Sequence, residues 1–172
     1  DTRIDEEIKA AAIGAGIDIY TPNGHLVVDI GGGTTDFGVL SLGDVVLSKS
    51  IKVAGDYFDK QITDYVKEIH KLEIGPQTAE KIKIQLASLT GDLPTDEEGN
   101  VLVYSAMGRD LVSGLPQQVV IKAQEVRDIL LECFESIKST LIATLEVTPP
   151  ELAGDLVDNG ILVTGGGALI KG

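Results

Sequence analysis

Apolar and polar residues alternate along the stretch that begins at Leu26, and this alternation predicts three strands. The apolar run Leu26–Ile30 leads into three glycines and two threonines, after which the period of two resumes. A second turn at Gly43-Asp44 separates the last two strands. We therefore expect an antiparallel meander with strands at about Leu26–Ile30, Thr35–Leu42 and Val45–Val53.

Apolar residues at a spacing of three and four predict helices on either side of this meander. The segment Asp1–Gly24 should form a helix followed by a loop. The helix is rich in helix-forming residues, and Gly14 and Gly16 should end it. Asp56 is expected to cap the next helix. The later helices are expected at Gly55 to about Lys71, Pro76 towards Leu89, Gln124–Glu146 and Glu151–Val157. Strands are expected at Val101–Ala106 and Gln118–Ile121 around a loop at Arg109–Pro116, and from Gly160 into a second glycine turn.

Composition narrows the class of protein. A chain of 172 residues with 43% hydrophobic residues can bury one core or two joined subdomains. With 14 basic and 27 acidic residues the net charge is −13, which argues against a nucleic-acid partner or an anionic membrane surface. The single cysteine, Cys133, excludes an internal disulfide and fits a reducing cytoplasm. Its place on an apolar helical stripe predicts a buried core thiol rather than a nucleophile.

The glycine turn Gly31-Gly32-Gly33 is the first candidate for a binding site. Consecutive glycines bring unhindered N–H groups close to an anion, and an acid at a strand end can hold a hydrated divalent cation. A glycine-rich hairpin turn is more often only a turn, and neither the Rossmann nor the P-loop fingerprint fits. The second glycine turn, Gly165-Gly166-Gly167, also follows an apolar strand. Two such turns facing one another favour a nucleotide site.

Seven segments of the chain resemble the bacterial actins, most closely the MreB family of the actin/Hsp70/sugar-kinase superfamily. They match in order and spacing along almost the whole chain. The segments are Glu6–Gly14, Val28–Thr35, Ala54–Asp56, Ile74–Lys83, Gly108–Pro116, Thr148–Leu152 and Thr164–Leu169.

The resemblance implies an α/β fold, an actin-like (ribonuclease H-like) ATPase lobe with a mixed sheet and an inserted small α+β subdomain. The larger subdomain would comprise residues 1–54 and 125–172, and the inserted one residues 55–124. The chain starts without methionine and stops just after a glycine turn, so we expect it to be one lobe of a longer protein. In the family, ATP and magnesium lie between two such lobes.

The resemblance also implies a role for each matching residue. Glu7 would orient the attacking water, assisted by Thr34 and Asp36, and Asp29 would hold Mg²⁺ through water. Residues near the β- and γ-phosphates would be Gly31, Gly32, Gly33, Thr34 and Thr35. Residues near the ribose and adenine would be Gly55, Asp56, Glu80 and Lys83. Residues backing the nucleotide would be Gly165, Gly166, Gly167 and Ala168.

Two departures from the family pattern bear on hydrolysis. The usual Glu-Glu-Pro-Met reads Glu6-Glu7-Ile8-Lys9, and Asp36 stands where close relatives often carry glutamate. We therefore weigh three functions. The first is an ATP-dependent filament protein with slow hydrolysis to ADP, of which this lobe alone would be inactive. The others are a pseudo-ATPase that assembles without turnover and a small-molecule kinase.

The first function implies particular partners and a location. The chain would assemble with further copies of itself, and membrane or cell-shape proteins would bind through parts outside it. No nucleic-acid partner is expected. The intact protein is expected in the cytoplasm, at the inner face of the membrane.

Overall fold

The structure is a computed structural model that describes residues 2–172, with side chains described from residue 4 onward. The expected helical placement of Asp1 lies outside the described residues. The helices are α1 (Thr2–Gly14), α2 (Gly55–Ile69), α3 (Pro76–Leu86), α4 (Ala123–Leu145) and α5 (Pro150–Asn159). The strands are β1 (His25–Ile30), β2 (Thr35–Ser41), β3 (Asp44–Ile51), β4 (Leu72–Glu73), β5 (Val103–Asp110), β6 (Pro116–Lys122) and β7 (Ile161–Thr164), and a short 3-10 helix spans Gly166–Leu169.

The chain divides into two compact units. The first contains Gly55 and the described residues before it, together with Glu135–Leu169. The second contains Asp56–Phe134 and Ile170–Gly172. The boundary inside α4 falls between Phe134 and Glu135. The assignment of a larger and an inserted smaller subdomain, with limits at 54/55 and 124/125, stays a prediction.

The first unit is built on a mixed four-stranded sheet in the order β3-β2-β1-β7. The pairs β1/β2 and β2/β3 are antiparallel, which confirms the predicted meander. Strand β7 joins β1 in parallel. All seven residues of β2 are buried, because the sheet is covered on both faces.

Helices cover the two faces of this sheet with separate apolar clusters. On one face Ile8 of α1 packs with Val27 and Leu40. On the other face Leu26 and Val39 pack with Leu156 of α5. Because neighbouring residues of a strand point to opposite faces, the adjacent apolar pairs Leu26-Val27 and Val39-Leu40 supply both clusters at once.

Gly38 brings α1 close to the sheet. A Cβ atom built on Gly38 would lie 2.5 Å from Cγ2 and 2.6 Å from Cδ1 of Ile8. Since residues two apart in a strand share a face, Asp36 lies on the same face as Gly38. Its register partner Asp29 also lies there. The helix that carries Glu7 therefore covers the face on which both carboxylates stand.

The second unit combines α2, α3 and the first half of α4 with an antiparallel sheet in the order β4-β5-β6. Its fully buried residues include Phe58, Ile62, Ile82 and Leu130. The ring of Phe58 stacks on that of Phe134 with centroids 5.3 Å apart. These contacts give the unit an apolar core of its own.

Several predicted boundaries need correction. Strand β5 extends to Asp110 and β6 begins at Pro116, so the predicted loop at Arg109–Pro116 is only a tight turn. Strand β4 was not predicted, since two residues show no periodicity. Asp56 lies inside the first turn of α2 rather than before it, so its prediction as the cap is wrong. Helices α2 and α3 end at Ile69 and Leu86, short of Lys71 and Leu89.

Cys133 is 5% exposed within α4. Burial, with a smaller contribution from the charge of Glu132, raises the pKa of its thiol to about 11. The prediction of a buried core thiol is therefore confirmed. Within residues 2–172, no helix has both the length and the apolar character needed to span a membrane.

Candidate nucleotide site

The first glycine turn connects the ends of β1 and β2. Ile30 and Thr35 are the last register pair, and the backbone N–H of Gly31 donates to the carbonyl of Thr34 over 3.0 Å. The carbonyl of Gly31 accepts from the N–H of Gly55 over 3.1 Å. The turn predicted between two strands is thus confirmed, and both of its ends are held by backbone hydrogen bonds.

Among the described residues, neither packing nor backbone conformation requires Gly33 to be a glycine. A Cβ atom built there meets no atom within 4 Å, and its φ lies outside the left-handed region. The same holds for Gly166 in the second glycine turn. Gly31, by contrast, is tightly placed, with its Cβ position 3.3 Å from the Thr34 carbonyl oxygen. The open space at Gly33 and Gly166 leaves room for a ligand to approach the backbone.

The two threonines of the turn use their hydroxyls differently. Thr34 Oγ1 donates to Asp36 Oδ2 over 2.8 Å. Thr35 is fully buried and donates to the carbonyl of Val53 over 2.6 Å. Because the Thr34 proton is committed to Asp36, the hydroxyl lone pairs of Thr34 are left to accept a hydrogen bond.

Asp29 and Asp36 face each other across β1 and β2. Asp36 is 4% exposed, and within the part of the chain that the structure describes its Oδ1 accepts no hydrogen bond. Asp29 Oδ1 accepts a hydrogen bond of 3.1 Å from Thr164 Oγ1. Like charges directly opposite on a sheet are destabilising. A cation bound near these two carboxylates would reduce their repulsion and pair with the unsatisfied oxygen of Asp36.

These donors fit magnesium. Carboxylate and hydroxyl oxygens are the hard ligands it prefers, and it usually takes one or two carboxylates together with waters and substrate phosphates. Among the described residues, no group of three or more histidine, cysteine or acidic side chains is arranged to hold a metal. The carboxylate and hydroxyl oxygens at the ends of β1 and β2 therefore suit a metal ion whose other ligands are phosphate and water.

The second glycine turn lies against the end of β1. Strands β1 and β7 run in parallel and put Asp29 beside Thr164. Gly165 has φ +83°, and a Cβ atom there would overlap the Ile30 carbonyl oxygen and lie 2.5 Å from Asp29 Oδ1. A Cβ atom on Gly167 would overlap the Ile30 side chain. The structure thus brings the two predicted glycine turns together at one edge of the sheet.

The residues expected near the ribose and adenine belong mostly to the second unit. Asp56 is exposed in the first turn of α2, Glu80 is exposed on α3, and Lys83 is partly buried on α3. Lys83 Nζ lies 2.9 Å from both carboxylate oxygens of Asp59 and donates to Oδ2. Burial raises the pKa of Asp59, the hydrogen bond and charge of Lys83 oppose this, and the charges of Glu80 and Asp56 add to the rise.

Two residues at these places escaped the sequence analysis. Thr164 is the last residue of β7, so its position before the second glycine turn was a usable signal. Asp59 lies inside an amphipathic helix, where an acid is ordinarily solvated, and its ion pair with α3 left no trace in the sequence pattern.

Glu7 is exposed on α1 beside the fully buried Ile8.

A mixed sheet in which β1 and β7 each lead into a glycine turn, with Asp29 and Thr164 side by side before the turns, indicates a lobe of an actin-like protein. The model of the family "MreB/Mbl protein" matches residues 1–172. The chain belongs to the MreB/Mbl family. This confirms both the predicted fold class and the resemblance to bacterial actins.

Relatives and solved structures agree with this assignment. The cell shape-determining protein Mbl of Bacillus subtilis (strain 168) is 49% identical over 169 residues, which cover 98% of this chain and 49% of the relative. MreB5 of Spiroplasma citri bound to ADP gives a TM-score of 0.90 at 49% identity, over 96% of this chain and 48% of that one. The MamK double helical filament gives 0.70 at 25% identity, over 96% and 47%. The chain spans about half the length of the relatives it matches.

Proposed function

We propose that this chain is the nucleotide-binding lobe of an MreB-type bacterial actin, with ATP and ADP as its ligands. The observation that carries the proposal is the pair of glycine turns at one sheet edge, with open space at Gly33 and Gly166. Unhindered backbone N–H groups suit phosphate oxygens. MreB5, which is 49% identical to this chain, was crystallised with ADP, which supports the same ligand class here.

Each site residue has a proposed task in this lobe. The turn Gly31–Thr34 and the N–H of Thr35 hold the β- and γ-phosphates, while Gly165–Ala168 back the nucleotide. Gly55, Asp56, Glu80 and Lys83 contact the ribose and adenine. Asp29 holds magnesium through water, and bound magnesium would supply positive charge to the phosphates.

Hydrolysis requires an oriented water more than a covalent catalyst. We propose that Glu7 and Thr34 orient this water. Thr34 suits that task because its proton is donated to Asp36, so its oxygen is free to accept from the water. Asp36 thus acts through Thr34 and is a positioning residue.

The whole protein would assemble into filaments that serve cell shape in the cytoplasm, at the inner face of the membrane. The filament structure of MamK and the cell shape-determining role of Mbl support this proposal. Membrane and cell-shape partners would bind parts outside this chain. A pseudo-ATPase is the second candidate, because Ile8-Lys9 departs from the family pattern beside Glu7 and because Asp36 has the shorter reach of an aspartate.

Nucleotide binding can be tested on this chain with glycine variants that leave the fold unstrained. A titration with MgATP, followed by the backbone amide signals in ¹H–¹⁵N NMR, should show saturable shifts in Gly31–Gly33. Gly33→Ala and Gly166→Ala should each weaken the affinity about tenfold or more, because the methyl group occupies the space of the phosphates. Both variants should melt at the wild-type temperature.

Gly14→Ala is the matched control, since its Cβ position is equally open but lies at the end of α1, away from the turns. It should bind MgATP like the wild type. The proposal fails if the wild type shows no saturable shifts. It also fails if Gly33→Ala and Gly166→Ala bind as tightly as Gly14→Ala.

A further inference from the structure

Asp59 of α2 forms an ion pair with Lys83 of α3, and no function has been proposed so far for Asp59 or for this pair. Lys83 Nζ lies 2.9 Å from each carboxylate oxygen, and the two side chains are only 16% and 17% exposed. The exposed pair Lys9–Asp44 is longer, at 3.2 Å, with Asp44 88% exposed. Pairs shielded from water are screened less by solvent and salt than surface pairs. The Asp59–Lys83 contact therefore fixes its lysine more firmly.

Lysine is a flexible residue whose ammonium group has three donors and no fixed direction. A carboxylate that contacts the ammonium group through both oxygens restricts the rotamers of its stem. Asp59 does this from a neighbouring helix, so the direction of Lys83 is set by the packing of α2 against α3.

The surrounding charges make this restraint necessary. Asp56 and Glu80, both assigned to the ribose and adenine, also act electrostatically on Asp59. Glu80 also lies one helical turn from Lys83 on α3, so a second carboxylate is within reach of the same ammonium group. A cavity of about 350 Å³ beside Asp59 is lined by Asp56, Asp59, Lys60, Thr63, Ile74 and Pro76. Without the charge of Asp59, Lys83 would be drawn towards Glu80.

We propose that Asp59 is a positioning residue for nucleotide binding, which holds the Lys83 ammonium group in the direction that contacts the nucleoside. This inference rests on the proposed function and deepens it. Asp59 acts only through Lys83. Its contribution is therefore confined to ligands that carry ribose and base, and it does not extend to the phosphates.

The test compares two ligands, MgATP and magnesium tripolyphosphate, which lacks the nucleoside. Asp59→Asn keeps the size of the side chain and removes its charge. It should weaken MgATP binding about fivefold and leave tripolyphosphate binding at the wild-type level. Lys83→Met should show the same selective loss, and the double variant should lose no more than either single variant. Asp59→Glu, which retains the charge, should recover part of the affinity.

Asp44→Asn is the matched control, because it removes the carboxylate of the exposed lysine pair and should change neither affinity. The inference is overturned if Asp59→Asn binds MgATP like the wild type, or if it loses both ligands equally, as a purely structural role requires. Additive losses in the double variant would also overturn it. If the wild type binds neither ligand, the proposed function itself fails, so the two failures are distinguishable.

Discussion

Glycines near the end of β1 serve two different purposes. Gly165 is required by the protein itself, because its φ is +83° and a Cβ atom would lie 2.5 Å from Asp29 Oδ1. Gly33 is required by nothing in the described chain. The sequence shows both simply as members of glycine runs. Only the surroundings of each Cβ position separate a glycine that packing requires from one whose Cβ position is open.

Gly165→Ala should lower the free energy of unfolding by at least about 2 kcal/mol, since it combines left-handed backbone strain with a steric overlap. Urea denaturation followed by circular dichroism measures this difference. The neighbouring variant Gly166→Ala is the control and should unfold like the wild type, because its Cβ position is open. Equal stability of Gly165→Ala and wild type would contradict the close approach of the second turn to Asp29.

Individual polar contacts were the least predictable feature. Asp29, Thr34 and Asp36 were selected from their positions at strand ends, and the structure does place them near one another. The hydrogen bond from Thr164 to Asp29 joins residues 135 positions apart and depends on the parallel pairing of β1 and β7. No local pattern encodes such a contact.

At the scale of elements, the bounds of a helix or strand were predicted more accurately where its hydrophobic pattern is longer. Strands β1 to β3 were placed within about two residues, because alternation extends over each of them and glycine turns separate them. The β5–β6 turn was predicted too long. Asp110 Oδ1 accepts from the backbone of Val112 and Ser113, so its side chain closes the turn early and lets the strands continue.

Glu125 joins two helices of the second unit. It lies in the first turn of α4 and accepts hydrogen bonds from the Lys122 backbone, from Tyr65 and from His70 Nε2, the last over 2.8 Å. Burial alone raises the pKa of Glu125, but these hydrogen bonds and the charge of His70 outweigh it and leave the pKa lowered. The carboxylate thus links the end of α2 to the start of α4.

The sign of this shift predicts how stability depends on pH. A carboxyl group whose pKa is lowered in the folded state stabilises the fold at pH values above its pKa in the unfolded chain, which is near 4.5. This stabilisation is lost as the pH falls through the lower pKa of the folded state. Glu125→Gln should therefore be less stable by about 1 kcal/mol at pH 7 and show a shallower loss below pH 4.5. Denaturation curves across this range measure both effects.

Glu132→Gln is a suitable control because it changes a carboxylate on the same helix for which no such hydrogen bonds are found among the described residues. It should keep the wild-type slope. A parallel pH dependence of Glu125→Gln and wild type would show that the α2–α4 link does not govern acid stability.

At the scale of the molecule, this chain spans about half of the length of its relatives. The two glycine turns proposed to bind phosphate and the acid on α1 belong to one unit with its own core. Binding of a nucleotide can therefore be examined on this chain. Turnover and assembly are properties proposed for the full-length protein and need to be measured there.

The decisive substitution for those properties is Glu7→Ala in the full-length protein. Glu7 stands exposed beside the buried Ile8, so its removal should leave packing and assembly intact while the attacking water loses its orienting acid. With MgATP, wild type should pellet and release phosphate. Glu7→Ala should pellet equally and release phosphate at least about tenfold more slowly. Glu6→Ala, the adjacent exposed acid, should behave like the wild type. If wild type pellets without releasing phosphate, the pseudo-ATPase replaces the filament ATPase; if nothing pellets, the proposal of assembly is wrong.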